Sequence, residues 1–124
     1  MIEEFYLEPL SGEFDLPAVR AFLEGLPNTF EDDSVPRGEA PYLICGNPHA
    51  YFAARRHVAE GLEDYPPVAL VRIKPAIITI SHRCDEDCLS QSREFAEWIL
   101  ARYAVRVTDA YGNSWPANAA ELYA

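Results

Sequence analysis

Glycine is scarce in this sequence, with six residues in 124. None of them builds a phosphate loop or a Gly-x-Gly-x-x-Gly dinucleotide fingerprint, so the backbone cradles of nucleotide binding are not legible. Ser81 and Ser114 lack the strained Gly-x-Ser-x-Gly turn that exposes a hydrolase nucleophile. Cysteine occurs three times, an odd number that offers no disulfide framework and points to a reducing compartment. No apolar run approaches the ~20 residues needed to span a bilayer. The stretch "MIEEFYLEPL" holds acids where a secretory signal would hold Lys or Arg, so the expected location is the cytoplasm.

Basic charge is also missing, and unevenly. The formal net charge is −10, and residues 1–34 set nine acids against Arg20 alone, a net −8. The remaining 90 residues carry only −2. Such a field repels nucleic acid and anionic membranes and attracts cationic partners. Acids also keep a small protein soluble, but solubility does not require so lopsided a distribution.

Hydrophobic residues make up 49% of the chain, enough for one domain with a core over 1–124. "EFYLEPL" alternates, with Phe5 and Leu7 inward and Glu4, Tyr6 and Glu8 outward, which predicts a strand buried on one face. "FDLPAVRAFLEGLP" predicts a helix capped by Asp15, with Pro17 in its first turn and Leu16, Val19, Phe22, Leu23 and Leu26 on one stripe. Residues 28–41 show no periodicity and read as a long loop. "YLICG" reads as a short strand, and "NPHAYFAARRHVAEG" as a helix with Asn47 at its cap and Gly61 at its end. "PPVALVRIK" and "AIITISHRC" read as a hairpin or a strand bent at Pro75. "CLSQSREFAEWILARY" predicts the longest helix, with Cys88, Ser92, Phe95, Ala96, Ile99 and Tyr103 along one stripe. "AVRVTD" predicts a last strand, "AYGNSWP" a turn whose amides bond Asp109, and "ANAAELYA" a tail. The order β-α-β-α-β-β-α-β predicts an α+β two-layer sandwich, a mostly antiparallel sheet with helices on one face, loosely ferredoxin-like.

The stretch "SHRCDEDC" concentrates chemistry. His82, Cys84 and Cys88 form an His-x-Cys-x3-Cys pattern that provides three zinc-type ligands, with Cys45 available as a fourth. The spacing matches no standard finger or ribbon. Asp85, Glu86 and Asp87 oppose thiolate formation, which disfavours a nucleophilic Cys84. The same acids suit a helix N-terminus, so a strand-to-helix junction explains the stretch with fewer assumptions. His49 and His57 are eight apart, too far for one ion to be held as an i,i+4 pair. The spot Arg55-Arg56-His57 reads as an internal counter-charge for the acidic third.

The pieces "YLICGNP", "VALVRIKPAIITIS" and "RYAVRVTDAYGNSWP", spanning roughly residues 41–116, resemble small acidic single-domain bacterial proteins, some of which are immunity proteins that neutralise toxins. The resemblance carries no catalytic residue with it. What it implies agrees with the charge: a non-enzymatic, cofactor-free binding domain that neutralises a basic protein partner, a toxin in the immunity case. The expected contact residues are Phe30, Glu31, Asp32 and Asp33, with Glu13 and Glu8. The alternatives are a metal-binding protein using His82, Cys84 and Cys88, and a homo-oligomeric small-ligand binder.

Overall fold

A computed structural model describes residues 2–31, 42–44, 68–83 and 86–124. The elements in chain order are β1 (Glu4–Pro9), α1 (Leu16–Gly25), β2 (Thr29–Glu31), β3 (Tyr42–Ile44), β4 (Val68–Lys74), β5 (Ile77–Arg83), α2 (Glu86–Arg102), β6 (Val105–Asp109), β7 (Ser114–Trp115) and α3 (Ala119–Leu122). The strands form one seven-stranded sheet in the order β2-β3-β4-β5-β1-β6-β7, and every pairing in it is antiparallel. The protein is an α+β sandwich. Among the described residues, no helix is long and apolar enough to cross a membrane.

Alternation decides which face of the sheet is covered. Phe5 and Leu7 of β1 are fully buried, as are Ile78 and Ile80 of β5. Val71 of β4 and Val107 of β6 join them on the same side. Against this face α1 lays Val19 and Leu23, α2 lays Phe95, Ala96 and Ile99, and α3 lays Leu122. The intervening residues Glu4, Tyr6, Thr79, Arg106 and Thr108 occupy the other face. That second face is not polar throughout: Leu43 and Val68, with the half-buried Phe30 and Leu70, form a small apolar cluster at its β2-β3-β4 end.

Local chemistry sets the helix ends. The Asp15 carboxylate accepts the Ala18 amide, and its own amide donates to the Tyr103 hydroxyl 3.1 Å away. The start of α1 is thereby tied to the residue following α2, and Phe14 meets the Tyr103 ring edge-on at 4.9 Å. Phe22 stacks on Trp98 at 4.6 Å, and the Arg102 guanidinium lies 4.7 Å from the Trp98 ring centre. Helix α1 ends before Pro27, and Asn28 takes the left-handed conformation at φ 57°, which its short polar side chain tolerates. Strands β4 and β5 form a hairpin turning at Pro75-Ala76, and the Pro75 carbonyl accepts the Phe14 amide at 2.9 Å.

Three elements differ from the expectation. Residues 29–31 form an edge strand on β3 where a loop was expected. Ser114–Trp115 forms a second edge strand on β6, and the "tail" contains α3. Helix α3 is capped by Asn118, whose side-chain oxygen accepts the Ala120 amide at 2.8 Å. The helix expected over 47–61, with His49, His57, Arg55 and Arg56, lies outside the described residues. So do Asp32, Asp33, Cys45, Cys84 and the remainder of the 28–41 loop.

The docking of α3 has a measurable consequence. Leu122→Ala removes a side chain with no exposure and should cost about 2–5 kcal/mol by urea denaturation, whereas Glu121→Gln, on the exposed side of the same turn, should stay within about 0.5 kcal/mol.

Candidate functional site

At the end of β6 the chain turns back through residues 110–113, with Gly112 at φ 83° supplying the left-handed step. Asp109 organises this turn. One carboxylate oxygen accepts the amides of Tyr111 and Asn113 at 2.9 and 3.0 Å. The other accepts the Asn113 side-chain amide at 3.2 Å and the Trp115 indole N–H at 2.9 Å. Four N–H donors stabilise the charged form. The Trp115 bond is the strongest influence, and together the donors outweigh the opposing effect of burial and pull the Asp109 pKa down to about 2. Trp115 is thereby fixed beside Asp109, while Tyr111 at the turn is 91% exposed.

Facing this hairpin is the start of β1. Ile2, Glu3 and Glu4 line a cleft of about 550 Å³ together with Asp109, Ala110, Tyr111 and Trp115. Glu4 accepts the Ser81 hydroxyl at 3.0 Å. Glu3 is exposed, and its backbone carbonyl holds the His82 amide at 2.7 Å. The described lining contains three acidic residues, of which Glu4 turns its carboxylate to Ser81 on the outer face, and no Lys, Arg or His.

Behind Ile2 lies a buried polar chain. The His82 Nε2 is 2.6 Å from the Ser92 Oγ, which is in turn 2.6 Å from the Tyr123 hydroxyl. The His82 Nδ1 faces the Ile2 carbonyl at 3.5 Å. A carbonyl only accepts, so a proton on Nδ1 lets Nε2 accept from Ser92 and Ser92 accept from Tyr123. The His82 and Phe5 rings and the Tyr123 ring pack together, with centroids 5.1–5.9 Å apart. Burial pushes the His82 pKa below its ordinary 6.5, opposed by the Ile2 carbonyl. A Ser–His pair at this distance has nucleophile-and-base chemistry available in principle. Ser92 has no exposure, however, and its oxygen is engaged on both sides, so the arrangement works as packing and not as an accessible nucleophile.

The metal alternative meets the same chain. Both His82 nitrogens face protein atoms, and the Cys88 thiol donates to the Ile44 carbonyl at 2.8 Å. Among the described residues, no group of three His, Cys, Asp or Glu side chains is placed to hold a metal ion.

The expected partner-contact residues do not share one patch. Glu8 is gripped by Arg106, with both carboxylate oxygens 3.1 Å from one guanidinium nitrogen. Glu31 lies 3.7 Å from Arg20. Its neighbour Tyr42 donates to Glu24 at 3.3 Å, and burial together with Glu31 and Glu24 pushes the Tyr42 pKa up to about 12. Phe30 packs with the small apolar cluster. Glu13 is exposed in the turn after β1. Strand β2 stands four places from β1 in the sheet, about 19 Å at the usual strand spacing, so Glu31 and Glu8 face different surroundings. The cleft residues Glu3, Tyr111 and Trp115 were not singled out in the sequence, where only the acid excess and the Asp109 turn were visible.

Comparison with protein families, with curated proteins and with solved structures finds no match to this chain. The fold class and the cleft therefore stand on geometry.

Two pH windows follow. The folded Asp109 binds a proton less readily than the unfolded chain, so its stabilisation is complete above its ordinary value of 3.8 and is lost as pH falls through about 2. Asp109→Asn should lower Tm at neutral pH, and the gap to the parent should close below that window in thermal scans. His82 is also depressed, so stability is full above 6.5 and declines as pH falls below it. His82→Gln should flatten that part of the stability profile.

Proposed function

We propose that this domain is a non-catalytic binding protein that neutralises a basic protein partner, in the manner of an immunity protein set against a toxin. The observation that carries the reading is the acid excess of residues 1–34, a net −8 in a chain of net −10. The geometry supports it in a particular way. The one base of that segment, Arg20, lies beside Glu31, and Arg106 is engaged by Glu8. Glu3, Glu4 and Glu13 are left as negative charge without an ion pair among the described residues. A surface of this kind accelerates encounter with a cationic protein and disfavours acidic competitors.

The reaction-bearing alternatives have less to stand on. The Ser92–His82 pair has no exposed oxygen, and the nitrogens of His82 are turned to Ser92 and Ile2. A basic partner needs neither: it needs complementary charge, shape and a few aromatic anchors.

Immobilised protein exposed to host lysate over a salt series should retain a basic polypeptide at about 50 mM salt and lose most of it by about 500 mM, because exposed charges are screened over a Debye length. Identification of the retained chain by mass spectrometry gives its isoelectric point. Retention of nothing basic at the lowest salt removes the reading.

A further inference from the structure

We propose that the cleft between the start of β1 and the β6–β7 hairpin receives an arginine side chain of the basic partner. This rests on the function proposed above and moves its contact away from Phe30–Asp33, where the sequence had put it. Three features of the cleft agree on the chemistry of the occupant.

The first is charge without a counter-ion. Glu3 and Asp109 line the space with Glu4, whose carboxylate is turned to Ser81 on the outer face, and the described lining supplies no cation. Nothing among the described residues donates to the Glu3 carboxylate, and the residue is exposed. Asp109 is satisfied by four N–H donors, none of them cationic, so its charge remains in the field.

The second is the pair of aromatic rings. Tyr111 is 91% exposed, yet the backbone beneath it is held by the Asp109 carboxylate. Trp115 has already given its indole N–H to Asp109, so its ring is the surface left for a ligand. The Trp115 ring, held this way before binding, loses little freedom on contact. Aromatic faces beside carboxylates attract organic cations, and a planar guanidinium both stacks on such faces and pairs with carboxylates in a fork.

The third is size and dispersion. The carboxylates do not gather into a group that could hold a metal ion. A space of about 550 Å³ suits a side chain, not a bare cation. The cleft is flanked by β7, an edge strand of the sheet, and residues 114–118 are exposed. A polypeptide carrying the arginine has main chain to lie along there, which a free cation would not use.

The test follows the amide and indole N–H resonances of the whole chain by NMR during titration with an acetylated, amidated Gly-Arg-Gly-Arg-Gly peptide. Saturable shifts are expected at the Trp115 indole N–H and at the amides of Glu3 and Tyr111. The same peptide with citrulline, which keeps the shape and loses the charge, should bind at least about 10-fold more weakly. Tyr111→Ala and Glu3→Gln, both at exposed positions, should each weaken binding about 5-fold or more while leaving the rest of the spectrum in place. Equal binding of the citrulline peptide, shifts confined to the Glu8 and Glu13 region, or indifference to both variants would overturn the proposal. Arginine amide binding as tightly as the peptide would overturn its polypeptide part. If both variants retain a basic host partner undiminished, the cleft is wrong and the basic-partner reading stands. If the peptide saturates the cleft but no basic partner exists, the reading fails and the site stands.

Discussion

Strand β1 is hydrogen-bonded on both sides, to β5 and to β6, with Phe5 and Leu7 wholly buried on its helix-facing side. A slip of one residue in either pairing would turn Phe5 and Leu7 to the outer face and drive Glu4 and Tyr6 into the core. That penalty locks the register, and the register determines much of what surrounds it. It sets Glu8 across from Arg106 and Glu4 across from Ser81. It also sets Phe5 opposite Asp109, which brings the start of β1 to the mouth of the β6–β7 hairpin. The cleft is therefore a product of strand pairing in the core and not of a flexible surface loop.

Two polar arrangements sit near this end of the sheet and solve different problems. Asp109 is a charge whose lone pairs are met by neutral donors, which keeps it ionised and stiffens a turn. His82 is a base kept neutral by burial, in a chain that passes through Ser92 to Tyr123 and ties the residue following α3 to the end of β5. Neither is matched by an opposite charge among the described residues. The first keeps a negative charge in the lining of the cleft, while the second keeps an uncharged base in the interior.

The long elements were readable because each repeats its pattern several times. The two-residue period of β1 and β6 and the stripe from Cys88 to Ile99 in α2 carry enough repeats to be distinguished from chance. Strands β2 and β7 are three and two residues long, too short for any period, and exist because β3 and β6 offer them a hydrogen-bonding edge. Helix α3 did have a local signal: Asn118 followed three residues later by Glu121 is a capping pattern. Its docking through Leu122 was not legible, because four residues cannot display an amphipathic face. Among the site residues, the bonding of Asp109 to its turn was legible from "TDAYGNSW". The joining of Tyr111 and Trp115 to Glu3 was not, since more than a hundred residues separate them in the chain.

By itself the sequence determined the α+β class, the inward and outward faces of the principal strands, the caps of α1 and the acid excess of the first third. These depend on side-chain periodicity and composition, which are local. The tertiary structure decided the strand order, and with it which acids are neutralised. Glu8 met Arg106 and Glu31 met Arg20, while Glu3 came to line one cleft with Tyr111 and Trp115. Pairing across an antiparallel sheet joins residues by register and not by proximity in the chain, so the same count of charges yields an internal ion pair in one place and an open anionic cleft in another.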